Sequence, residues 1–308
     1  MPDFFARLDD GWDRASDVLE LAFVPFVVAF LNVDAIQRVF ARESDVSLGV
    51  TLRPPSAVVD VWTFVQLPQQ TLSTGTGGTN VTLGGLFAFP SIPFSVAAAG
   101  LVLVLCLEAL LTAGFLGSLR QQLTTGSYDF GVAVGRYTVP LLVYRLAVTA
   151  LGFGLVGGVF LLGPNGPGVV LVLIAIPVGL LLGYLFYPIP YLVVLRERGL
   201  ADAVAGSFDL ATGAEGYFGY TLGFAAFSAV VSLVGTAVVV NLGLAGILVG
   251  AVAAAPLGLA LSATTLRFLA DIDDASPTVE WPADDGGDAG DEAAAPTGGP
   301  ATTTDSGS

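Results

Sequence analysis

Between Phe94 and Ser118 the chain reads FSVAAAGLVLVLCLEALLTAGFLGS, a run long and apolar enough to cross a bilayer. A hydrocarbon core about 30 Å thick takes about 20 mainly apolar helical residues. Inside lipid the backbone must satisfy its own N–H and C=O groups, which leaves helices or a closed barrel. Six segments of this kind occur, at roughly 17–40, 94–117, 138–162, 168–195, 217–240 and 244–270. They predict an all-α polytopic membrane helix bundle of about six transmembrane helices. The first is short, LAFVPFVVAFLNV between Glu20 and Asp34; the fourth carries Pro177 and the stretch YPIP (187–190), which should kink or end it. GPNGPG (163–168) is a tight turn between the third and fourth helices, since Gly and Pro continue neither.

Composition agrees, with 54% hydrophobic and 12% charged residues. All eleven basic residues are Arg, against 26 acids, for a net charge of −15. This acid-rich, Lys-free balance resembles the proteins of salt-loving microbes, and it argues against nucleic acid as a partner, because phosphates call for basic patches. Ten of the acids and no base lie in 271–308, a segment rich in Ala, Gly, Pro and Thr, which cannot bury enough apolar area to order itself. The expected organisation is an integral membrane domain, 1–270, with a long outer loop at 41–93, followed by a disordered acidic tail, 271–308. Histidine is absent, which removes His-based catalytic and metal chemistry, and the one cysteine, Cys106, excludes an intrachain disulfide. We expect no enzyme activity, no metal site and no cofactor.

Orientation follows from Arg, which is retained on the cytoplasmic side of spanning helices. With the N-terminus inside, Arg7, Arg14, Arg120, Arg136, Arg196, Arg198 and Arg267 lie on the inner side, Arg38, Arg42 and Arg53 in the outer loop, and Arg145 within a span. Both termini are expected in the cytoplasm of a multi-pass cell-membrane protein. Three inner segments show apolar stripes that suit interfacial helices: Phe4, Leu8 and Trp12; Leu200, Val204, Phe208 and Ala211; and, more loosely, Tyr128 and Val132 with Phe130, Val134 and Tyr137. The outer loop holds PPSAVVDVWTFVQLPQQ, whose Trp62 and Phe64 suit packing on the bundle, and Asn80 begins its sequon, open either to glycosylation or to no modification.

Two intramembrane charges stand out. Glu108 sits about 15 Å from the inner end of the second span and Arg145 about 12 Å from that of the third, so the pair is at matching depth on consecutive antiparallel helices. Either they pair, which offsets the cost each would meet alone, or Arg145 snorkels to the headgroups and Glu108 is protonated against a carbonyl. Gly154/Gly158, Gly179/Gly183, Gly219/Gly223 and Gly246/Gly250 are GxxxG spacings, which permit close helix approach within the chain or in a homodimer.

The segment YPIPYLVVLRERGLADAVAGSFDLATGAEGYFGYTLGFAAFSAVV resembles uncharacterised multi-pass families related to the membrane domain of glycerophosphoryl diester phosphodiesterase. In those families a span ends in a charged turn, then an amphipathic segment with alanine and serine, here Ala203 and Ser207, then the next span. The resemblance implies a six-helix membrane protein and carries no known activity. Three functions compete: a non-enzymatic scaffold or accessory subunit bound to a membrane-protein partner, a transporter for a small solute or ion, and, least supported by the residues, an intramembrane enzyme.

Overall fold

The computed structural model describes residues 4–41, 47–68, 94–162 and 167–276. Its elements are α1 (Phe4–Ser16), a 3-10 turn (Leu19–Ala22), α2 (Phe23–Leu31), α3 (Val33–Phe40) and a second 3-10 turn (Val61–Phe64), followed by α4 (Phe94–Thr125), α5 (Phe130–Leu162), α6 (Pro167–Phe186), α7 (Ile189–Arg196), α8 (Leu200–Gly213), α9 (Tyr217–Asn241) and α10 (Gly243–Ile272). The fold is an all-α polytopic helix bundle. Ala98–Thr125, Phe130–Gly154, Leu173–Arg196, Tyr217–Asn241 and Gly243–Ile272 are each long and apolar enough to cross a membrane. The pair Leu19–Leu31 and Val33–Phe40, bent by 61°, makes a sixth span if counted as one.

Both breaks in spanning helices are repaired by side chains from elsewhere. At the first, Asn32 leaves helical geometry and caps α3, its Oδ1 accepting from Ala35 N at 3.1 Å. The bend frees the Ala29 carbonyl, and the Trp62 indole donates to it at 2.7 Å. At the second, Pro188 has no N–H for the Tyr184 carbonyl. The Tyr217 hydroxyl donates to that oxygen at 2.6 Å, and Ser207 Oγ donates to the neighbouring Leu185 carbonyl at 2.6 Å. An unbonded backbone acceptor in a membrane interior costs several kcal/mol, so the kink at YPIP depends on α8 and α9 being in place.

α10 is the centre of the bundle. Leu259, Ala260, Leu261, Ala263, Leu266 and Leu269 are fully buried, as α1, α2, α9 and the Val61–Phe64 turn pack around it. α7 is buried along its whole length from Ile189 to Leu195. One end of the bundle gathers Arg7, Arg120, Arg136, Arg196 and Arg267 among acids, and is called here the Arg-rich end.

Two interfacial helices exist with their faces turned relative to the expected stripes. In α1 the buried residues are Phe4, Gly11 and Ala15, while Trp12 is 47% exposed. Gly11 and Ala15 win the buried face because small residues let α1 lie close on α10, where a Cβ at Gly11 would already overlap Thr264. In α8 Ala203, Gly206, Ser207 and Leu210 are buried, with Val204 and Phe208 turned outward. The third expected segment is not a separate helix. Asp129 accepts from Val132 N at 3.0 Å and caps a helix that runs unbroken from Phe130 to Leu162. Between two spanning helices, an interfacial helix among the described residues occurs at α8, and not before α5. Residues 271–276, expected to open the tail, instead complete α10 and fold back, with Asp271 on Arg7 at 2.6 Å and Asp273 on Arg196.

Candidate functional site

Residues 47–68, expected as part of an outer loop, enter the bundle as a hairpin without regular structure beyond one 3-10 turn. Its start is fixed at the end of α9 away from the Arg-rich end, where Ser47 N donates to Asn241 Oδ1 and Asn241 Nδ2 to Ser47 O, each at 3.0 Å. Four residues on, Thr51 N donates to Ser232 Oγ at 3.0 Å. Nine helical residues between those partners span about 13 Å, the reach of four extended ones. The chain therefore descends antiparallel to α9. At its tip Pro54 lies against Gly183 of α6, and the Tyr191 hydroxyl of α7 donates to the Ser56 carbonyl at 2.7 Å. The return limb places Val59 on Gly258, Val61 on Gly250 and Phe64 on Gly235, and Gln66 N donates to Thr236 Oγ1 at 2.8 Å.

This is a re-entrant segment at membrane depth. Irregular backbone is tolerated there only where it is buried in protein or lines a cavity, and the sequence meets that demand with polar residues of α9 and its terminal Asn241. Ser232, Thr236 and Asn241 point at the hairpin and bond its backbone. Ser228, fully buried on the same helix, has no hydrogen-bond partner among the described residues. Val59, Val61, Trp62, Phe64 and Val65 are all buried, so the return limb is held by packing as well as by its bonds to Thr236 and to the Ala29 carbonyl. The turn itself is capped by Asp60, whose Oδ1 accepts from Trp62 N at 3.1 Å.

The structure brings Glu108 and Arg145 together: Arg145 Nη2 donates to Glu108 Oε2 at 2.6 Å between α4 and α5. Of the glycines, Gly246 packs on the Val238 and Val239 carbonyls, Gly250 on Val239 and Val61, Gly223 on Phe4, Gly158 on Leu171 and Gly183 on Pro54. Gly154, Gly179 and Gly219 have nothing described within 4 Å. The closest approaches to hairpin backbone are at Gly235 and Gly258, which the spacing rule did not select. Asn80 lies outside the described residues.

The Arg-rich end holds two ion clusters. Glu197, after the last turn of α7, adopts the left-handed conformation (φ 56°), at a cost of about 1 kcal/mol for a non-glycine residue. Its carboxylate is held by Arg120, by the Tyr137 hydroxyl at 2.8 Å and by Arg136 at 2.5 Å. Asp273 accepts from Arg196 Nε at 2.9 Å and Nη2 at 2.6 Å and also receives Ser276. Burial opposes ionisation of Glu197, but Arg120, Tyr137 and Arg136 together hold its carboxyl below the usual range. For Asp273, Arg196 and Ser276 outweigh burial in the same way.

Both groups are more acidic in the folded chain than in the unfolded one. The stability they add is complete above the ordinary carboxylate range, near pH 4, and is lost as pH falls below it. In detergent the unfolding temperature is expected to fall between about pH 5 and pH 3, and less steeply in Glu197→Gln/Asp273→Asn. An unchanged slope in that variant would show that the two clusters do not carry the acid response.

Among the described residues no group of three or more His, Cys, Asp or Glu side chains is placed to hold a metal. Comparison with protein-family models, with curated proteins and with solved structures finds no match to this chain.

Proposed function

We propose that this integral membrane protein is a permease-like protein for a small solute or ion, with the 47–68 hairpin as its working element. The observation that carries this reading is irregular backbone held inside the bundle next to the broken span α2/α3 and the helix interruption at Tyr187–Pro188 between α6 and α7. Discontinuous helices and re-entrant segments are how membrane transporters place polar backbone at the bilayer midplane. The Arg-rich end faces the cytoplasm of the cell membrane, by the retention of Arg on that side. The second reading is the non-enzymatic scaffold or accessory subunit. It is favoured by the closure of the intramembrane polar groups on one another, as in the Glu108–Arg145 pair and the α9 bonds to the hairpin.

Locking the hairpin separates the two. A Cβ at Gly250 would lie 3.1 Å from Val61 Cγ2, a separation that suits a disulfide between Val61→Cys and Gly250→Cys on a Cys106→Ala background. Flux of sodium, chloride, phosphate and an amino acid would be measured in proteoliposomes, oxidised and reduced. A transporter gives flux of at least one solute above protein-free liposomes, lost on oxidation and restored by reductant. No flux of any of the four, or flux indifferent to the lock, favours the scaffold.

A further inference from the structure

We infer that the lateral groove between α6 and α9 at the hairpin tip binds the phosphate headgroup of an anionic phospholipid through Arg53. Arg53 lies in a groove of about 190 Å³ with Leu52, Pro54, Leu180, Tyr184, Phe218 and Leu222. Leu52, Leu180, Phe218 and Leu222 are 57–66% exposed, so their side chains form an apolar wall open to the acyl chains. Arg53 is an exposed residue of this wall and makes no ion pair within 4 Å among the described residues. Asp60, on the same hairpin, acts on it only through space. The hydroxyls nearby are committed elsewhere, Tyr184 to the Ala211 carbonyl and Thr221 to the Tyr217 carbonyl and the Tyr187 hydroxyl.

An uncompensated cation facing hydrocarbon costs several kcal/mol. Arg145 has Glu108 in direct contact, whereas Arg53 has only the Asp60 carboxyl acting on it through space. The groove's α9 residues run from Phe218 to Ala225, within about 12 Å of the α9 N-terminus at Tyr217 and so of the Arg-rich end, which is within reach of a headgroup drawn inward. A phosphate diester brings the missing charge and acceptors for the planar guanidinium, and its chains bring the apolar cover that the groove walls require. A soluble anion brings only the first.

The site does not depend on solute transport, and its test does not use flux. The purified full chain in a neutral detergent would be titrated with phosphatidylglycerol, phosphatidylcholine or inorganic phosphate while the unfolding temperature is followed. Phosphatidylglycerol is expected to raise it with saturation, and the other two are not. Arg53→Gln should weaken the half-saturating concentration by about tenfold, the loss of one charge-assisted contact, and Arg53→Lys should recover part of it. Should Arg53→Gln not fold, Leu222→Trp at an exposed wall position fills the groove and should weaken binding without touching the charge. An equal response to phosphatidylcholine, a response to inorganic phosphate alone, or an unaltered titration in both the Arg53→Gln and Leu222→Trp proteins would each overturn the assignment.

Discussion

Gly258→Ala is expected to destabilise the protein by about 3 kcal/mol or more, although Ala is the better helix former. Gly258 is buried in the middle of α10, and a Cβ built there overlaps the Val59 carbonyl oxygen. The obstacle is backbone, so no rotamer change relieves it. Either the return limb lifts off α10 or the helix itself shifts, disturbing its packing on α2, whose Pro25 Cβ lies 3.6 Å from the added Cβ. Lifting the limb exposes Val59, Val61 and Val65 and breaks the Trp62 bond that covers the α2 break. Gly235→Ala meets the Phe64 carbonyl and should act in the same direction. Gly219→Ala is the control: nothing described lies within 4 Å of it, and the same chemical change should stabilise by about 0.5–1 kcal/mol through helix propensity. The check is the unfolding temperature of the three variants in detergent. If Gly258→Ala behaves like Gly219→Ala, the hairpin is not seated in the bundle as described.

The spanning helices were legible because hydropathy over about 20 residues is a physical requirement of the bilayer that few other folds imitate. The hairpin was not, since no stretch of 47–68 is long enough to register as membrane-embedded. Its traces were on α9 instead. Ser228, Ser232 and Thr236 recur at four-residue spacing on one helix face within an apolar span, and such a stripe signals that something other than a helix needs hydrogen bonds there. The glycine pairs were chosen by a rule for helix meeting helix. The tightest contacts are helix against extended chain, which needs one glycine and no spacing. The interfacial helices were found by their apolar residues but turned, because Trp12, Val204 and Phe208 face outward while Gly11, Ala15, Ala203 and Gly206 take much of the face on the bundle. Glu197 was passed over for a related reason: in VLRERG it looks like a solvated turn charge, and only the fold brings Arg120, Arg136 and Tyr137 to it.

Glu108→Gln is expected to destabilise the protein by about 3 kcal/mol, and the double variant with Arg145→Gln by clearly less. The contact is direct, at 2.6 Å, and it lies deep along the two helices: Glu108 is twelve residues from Arg120 along α4, about 18 Å, and Arg145 nine from Arg136 along α5, about 14 Å. The Arg145 side chain is 43% exposed, but at that depth the exposure is to hydrocarbon, which neither hydrates nor screens the charge left behind by the single change. Arg145 can then only snorkel or draw water inward. In the double variant two neutral amides remain that can hydrogen-bond each other, so the coupling has the sign of a pair that is harmless when whole or wholly removed and costly when halved. Unfolding of the four proteins in the same detergent measures it. Losses that add within about 0.5 kcal/mol would mean that the two charges are stabilised independently, and would remove the reason for placing them on facing helices.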